Sequence, residues 1–266
     1  MIRRVGALVC AAVLVAACAP AGGSGPTPSR PAPLVVFAAA SLRDALREIR
    51  TAYRDARPQV TIELSIDASS TLATQIIEGA PADVLLSADE ANPQRLADAG
   101  LGDGPATTFA ENELAIITPS DDPAGIAAPA DLGRPGVRII AAGASVPITR
   151  YAEALIDRLA ADPGAPADYA ARYAANIVSR EDNVKAVVAK IELGEGDAGI
   201  VYRTDAAAAG QVRVVEIPAA ARIRARYAGV VVAGSRQRDE AHAFLVWLRG
   251  ADGQRILTGA GFRSPS

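Results

Sequence analysis

Histidine is almost missing from this 266-residue sequence: His242 is the only one. That excludes a histidine-rich metal site and leaves one place for a histidine base. Lysine is nearly as rare, with Lys185 and Lys190 alone, and the formal net charge is -3. A general nucleic-acid binder carries a basic face, which this balance does not supply. Aromatics make up 4%, too few for platforms that stack bases or sugars. No GxGxxG run occurs, nor GxxxxGK followed by Ser or Thr, so phosphate-cradling nucleotide loops have no support. What is present is a chain that is half apolar and 21% charged. Its length and composition suit one large folded domain or two small ones and rule out a disordered chain.

The N-terminus reads as an address. Arg3 and Arg4 precede an apolar run from Val5 to Ala17. The run is shorter than the ~20 residues a spanning helix needs, which is the layout of a secretory signal peptide. It ends Val15-Ala16-Ala17-Cys18, which resembles a bacterial lipobox. Cys18 is then the lipidated N-terminus of the mature chain, and Cys10 leaves with the signal. The mature chain keeps no cysteine pair, hence no disulfide and no thiolate metal site. Residues 19–33 are Gly, Pro and Ser with almost no large apolar side chain, a flexible linker.

From Leu34 onward strand and helix patterns alternate. Leu34–Ala38, Val60–Ile66 and Val84–Ser87 read as strands; Ser41–Tyr53, Ser69–Ile77 and Asn92–Ala99 read as the helices between them. That order predicts right-handed crossovers and a parallel sheet. Further strands are expected at Glu113–Thr118, Val137–Ala141, Ala198–Tyr202, Val212–Ile217 and Tyr227–Val232. Helices are expected at Pro147–Ala160, Asn183–Leu193 and Ala241–Leu248. No internal repeat is visible.

The strand-to-helix junctions carry the chemistry. A helix start presents unpaired N–H groups and a positive dipole end, so several starts aimed at one cleft bind an anion without a charged side chain. Ser41 follows three alanines, Ser69 follows Asp67-Ala68, and Asn183 precedes Val184. An Asn cap engages the second or third helical N–H and leaves that of Val184 free. Each serine has a plainer reading as a helix cap, and Tyr202 as a core tyrosine.

Taken together, the motifs resemble the periplasmic molybdate-binding proteins of bacterial ABC transporters. The likeness rests on Val35-Val36-Phe37-Ala38-Ala39-Ala40-Ser41-Leu42, on Ala68 to Ile76, and on Gly79 to Val84 with Ser87-Ala88-Asp89. It continues at Val146-Pro147, at Glu181-Asp182-Asn183-Val184 and at Gly199-Ile200-Val201-Tyr202, and covers residues 34–266. It implies an α/β, two-lobed periplasmic-binding-protein fold of type II, each lobe a mainly parallel sheet flanked by helices, with the ligand in the interlobe cleft. The implied lobes are 34–111 with 228–266, and 112–227. The implied ligand is molybdate, with tungstate beside it, bound by the hydroxyls and N–H groups of Ser41 and Ser69, the N–H groups of Ile148 and Val184, and the Tyr202 hydroxyl. No cofactor, no catalysis and no direct protein–metal bond are implied. The implied partner is an ABC permease, and the implied state is a monomer held at the outer face of the cytoplasmic membrane by its lipid. One departure is Ile148-Thr149-Arg150, where the family commonly has a small residue after Val-Pro. Thr149 can add a hydroxyl to the cavity there, and Arg150 is expected to face solvent.

Asp67, Glu181 and Asp182 lie near the expected site and would repel a dianion if they pointed inward. Asp67 and Asp182 are expected to bond neighbouring backbone N–H groups instead. Lys185 is the nearest cation, and Tyr202 is expected to titrate in the ordinary phenol range. The competing readings are a sulfate or phosphate receptor, an inert lipoprotein, and a secreted hydrolase with Ser41 or Ser69 as nucleophile. The hydrolase requires a nearby base, and His242 lies far along the chain.

Overall fold

The apolar run after the linker becomes β1 (Leu34–Ala39), nearly all of it buried. The computed structural model describes residues 32–265; the signal peptide, Cys18 and most of the linker lie outside them. β2 (Ile62–Asp67) and β3 (Val84–Ser87) run parallel to β1 on either side. α1 (Arg43–Ala56), α2 (Ser69–Ile77) and α3 (Ala91–Asp98) follow these strands in turn. α1 turns Ala45, Leu46, Ile49 and Tyr53 inward, one stripe at helical spacing. The expected parallel start is therefore present, although Ser41 lies in a single 3-10 turn (Ala40–Leu42) ahead of α1.

β4 (Thr107–Pro119) is twice as long as the strand expected at Glu113–Thr118. It is followed by β5 (Ile139–Ala142), α4 (Pro147–Ala160), α5 (Tyr169–Ala175) and β6 (Ile177–Glu181). Next come α6 (Val184–Glu192), β7 (Ala198–Tyr202), α7 (Arg203–Ala208) and β8 (Val212–Val215). β9 (Arg224–Val231), α8 (Arg238–Arg249) and α9 (Ala251–Gly259) complete the fold. Sequence patterning does not anticipate α5, β6, α7 or α9.

The strand order is β2-β1-β3-β9-β4-β7-β5-β6, with β8 also paired to β4. β9 lies antiparallel between β3 and β4. Residues 107–113 of β4 pair with β9, and residues 114–119 pair with β7 and β8. One half of the sheet is thus β2-β1-β3-β9, the other β7-β5-β6 with β8, and β4 belongs to both. The second half is parallel through β7, β5 and β6. Gly199 on β7 lets α6 close onto the sheet: a methyl group there would stand 2.9 Å from a Val187 methyl and 3.1 Å from the Ile140 carbonyl.

Candidate functional site

Two sets of three parallel strands, β1, β2, β3 and β5, β6, β7, end at one place. The residues at their carboxyl ends line a cavity with about 10 Å³ of free space: Ala39, Ala40 and Ser41 after β1, Ala68 and Ser69 after β2, Ala88 after β3. From the other half come Val146 and Pro147 after β5, Asn183 and Val184 after β6, and Tyr202 at the end of β7. A crevice beyond the carboxyl ends of strands is where open α/β sheets bind ligands. The free space is about what one water needs, so the two walls stand close together. A wider groove of about 600 Å³, past Val35, Ile76, Pro81 and Val232, shares no residue with this cleft.

Four of the five residues expected to contact ligand, Ser41, Ser69, Val184 and Tyr202, come together here. Ile148 is buried in the core, while its neighbours Val146 and Pro147 form the wall. Ile148 and Val184 stand in the first turns of α4 and α6, where backbone N–H groups have no acceptor within the helix.

Neither serine is a cap. The N-cap of α2 is Ala68, with no side-chain bond, and Ser69 Oγ instead accepts the Ala88 N–H at 3.0 Å. Ser41 Oγ lies 2.8 Å from the Tyr227 hydroxyl. Asn183 does cap α6, its Oδ1 accepting the Ala186 N–H at 3.2 Å. The Tyr202 hydroxyl is buried and has no hydrogen-bond partner among the described residues. Burial pushes its pKa well above the ordinary phenol range, correcting the expectation of normal titration and keeping it a proton donor.

The charges surround the cavity without lining it. Lys185 Nζ sits 2.7 Å from Asp44 and 3.0 Å from Asp205. Asp205 is fully buried, and desolvation raises its pKa to about 6 despite the lysine. Asp67 accepts the Ala68 N–H at 2.7 Å, as expected, and also Asn183 Nδ2 at 3.2 Å. Glu181 is held by Ser179 and Lys190. Asp182 makes no side-chain hydrogen bond among the described residues, contrary to expectation. Arg150 is exposed, as expected, and also lies 3.8 Å from Asp89 and over the Tyr151 ring. The Thr149 hydroxyl donates to the carbonyls of Ala142 and Gly143, so it is not offered to the cavity. His242 pairs with Asp103 and meets neither serine. Among the described residues, no cluster of three or more His, Cys, Asp or Glu could hold a metal ion.

Sequence reasoning missed Tyr227, Asn112, Asp44 and Asp205. Nothing local marks them. Tyr227 reaches Ser41 across 186 positions, and Asp44 reaches Lys185 across 141.

Known proteins share this architecture along the whole folded region. The molybdate-binding protein ModA of Mycobacterium tuberculosis is 36% identical over 261 residues, covering 96% of this chain and 95% of the relative. The periplasmic molybdate-binding protein of Azotobacter vinelandii superposes with a TM-score of 0.73 at 22% identity, covering 88% of this chain and 100% of that one. The sulfate-binding protein SubI of Mycobacterium tuberculosis gives 0.77 at 22%, covering 87% and 86%. At 22% identity these two likenesses speak for the fold, which is that of the two-lobed periplasmic binding proteins. The model of bacterial extracellular solute-binding proteins matches residues 34–263, and with the identity to ModA it makes this chain a member of that family.

Proposed function

We propose that the protein is the solute-binding component of an ABC importer for molybdate, with tungstate as its second ligand. The observation that carries the reading is the cleft itself. Two serine hydroxyls, a buried hydroxyl and the starts of α4 and α6 converge in a cleft that, among the described residues, no charged side chain lines. Such donors suit a tetrahedral dianion. The 36% identical relative is named for molybdate, which supports the same ligand.

In this reading Ser41, Ser69 and Tyr202 donate their hydroxyl protons, and Ile148 and Val184 their backbone N–H groups. The protein contributes no covalent step and no cofactor; it captures, encloses and releases. The walls close by bending where β4 exchanges β9 for β7, which fits lobes of 34–111 with 228–266 and of 112–227. An exported chain anchored through Cys18, working as a monomer beside an ABC permease, completes the proposal. Cys18→Ala releases it from the membrane fraction or leaves it unprocessed; unchanged processing and attachment remove the anchor from the proposal.

Because the donors are neutral and buried, affinity stays nearly constant between pH 6 and 9 and falls only slightly with added salt. Calorimetry and thermal shift with molybdate, tungstate, sulfate and phosphate test the reading. Concentration-dependent stabilisation by molybdate and tungstate is expected. A response to sulfate alone makes the protein a sulfate receptor, and a response to none removes the oxyanion reading.

A further inference from the structure

Tyr227 on β9 is fully buried, its ring held edge-on by Phe109, Tyr202 and Phe262. Its hydroxyl has two polar neighbours, Ser41 Oγ at 2.8 Å and Asn112 Nδ2 at 3.5 Å. The Asn112 amide has a fixed orientation: the Glu113 N–H donates to its Oδ1 at 2.9 Å. Its nitrogen therefore faces Tyr227 and Thr204, donating to Thr204 Oγ1 at 2.9 Å. A carboxamide nitrogen donates and does not accept. Among the described residues the phenolic proton then has one acceptor within reach, Ser41 Oγ. A buried hydroxyl proton left without an acceptor is costly, so the bond runs from Tyr227 to Ser41. Desolvation raises the Tyr227 pKa well above the phenol range, which keeps that proton in place.

This direction determines what Ser41 can do. With one lone pair taken by Tyr227, the Ser41 proton is left free for an acceptor in the cleft that Ser41 lines. We propose that Tyr227 is a positioning residue that locks Ser41 as a hydrogen-bond donor to the bound oxyanion; this rests on the reading of the cleft given above. Ser69 has the same arrangement built from backbone, since the Ala88 N–H occupies its oxygen. Both serines are thus committed from behind to donate forward. The chain Asn112, Tyr227, Ser41 also draws on β4 and β9, which pair near Ala110 and Tyr227, so donor alignment at Ser41 is tied to the strands that join the two halves.

A double-mutant cycle on molybdate affinity tests the proposal, with Tyr227→Phe, Ser41→Ala and the double variant, each checked for folding by its melting curve. If Tyr227 acts through Ser41, Tyr227→Phe weakens binding about tenfold when Ser41 is present and less than about twofold when it is Ala. Equal losses in both backgrounds mean that Tyr227 merely supports the fold, and overturn the proposal. No loss in either background overturns it as well. Absence of oxyanion binding by the unmodified protein, with normal melting curves, overturns the reading of the cleft and the relay together. Should Tyr227→Phe fail to fold, Asn112→Leu replaces it. Removing a donor that faces Tyr227 leaves the phenolic proton nowhere to go but Ser41, so the cycle with Ser41 shows near-additive, small effects, and a large coupled loss overturns the assigned direction.

Discussion

The two walls of the cleft solve the same problem with different atoms. The wall at the ends of β1, β2 and β3 presents side-chain hydroxyls, Ser41 and Ser69, each already accepting a hydrogen bond from behind. The wall at the ends of β5, β6 and β7 presents helix starts and one tyrosine hydroxyl with nothing behind it. Around the cleft the walls also differ in charge. Asp44, Asp67 and Asp89 on the first face Lys185, Asn183 and Arg150 on the second. Donors that touch a ligand can therefore stay neutral, while the ionic attraction between the walls is carried by Asp44 with Lys185 and Asp89 with Arg150, which do not line the cavity.

The largest effect expected from breaking this division is at Lys185. Lys185→Met leaves Asp205 buried without its cation, and breaking such a pair costs about 3–5 kcal/mol of stability. Molybdate affinity measured by calorimetry should move far less. A loss of affinity as large as the loss of stability would show that a cation does reach the ligand.

Ser41→Ala and Ser69→Ala should each lose about 1.5–3 kcal/mol of molybdate binding, the worth of a hydrogen bond to a charged group. Since neither serine caps a helix, lost stability with unchanged affinity would overturn their role as donors.

The Asp205 carboxyl gives a pH signature. Its folded pKa of about 6 lies above the ordinary carboxylate value, so between about 4 and 6 the native state holds a proton that the unfolded chain has released. Its contribution lowers stability as pH rises through that window and is flat above it. Asp44, held low by Lys185, acts in the opposite sense below about pH 4. Denaturant midpoints in the unmodified protein and Asp205→Asn should diverge between pH 4 and 6 with a slope under about 1.4 kcal/mol per pH unit. Parallel curves would remove Asp205 as the source.

Tyr202→Phe should separate binding from stability. It loses about 1.5–3 kcal/mol of binding, as the serines do, yet the free protein should melt no lower, because the hydroxyl it removes is buried and has no partner among the described residues. The smallest effect belongs to Asp44→Asn. Asp44 is about half exposed, and such pairs contribute about 1 kcal/mol or less, screened by salt. An affinity that changes by less than about threefold, and not at all in high salt, is the expected outcome.

Much of the first wall was legible because its logic is local. Small residues after an apolar strand, then Ser41 or Ser69, mark a tight strand-to-helix turn, and Asn183 marks a helix start in the same way. The motif resemblance added Tyr202 and the start of α4. The reading of the serines as possible caps failed because their oxygens are claimed by Tyr227 and by Ala88, groups that local patterning does not bring near. α9 was hidden by Gly253 inside it, and β6 by its half-exposed face. The position of β9 between β3 and β4 has no local signature, since adjacent strands in space are here far apart in sequence.

That last feature bears on when the chain can fold. β9 ends at Val231 of 266 residues, yet without it β3 and β4 have no strand between them. The first half of the sheet stays incomplete during synthesis until most of the chain has emerged from the ribosome. Long-range pairings of this kind form slowly. Closure of that half therefore waits on the strand that comes last in chain order, whatever is made before it.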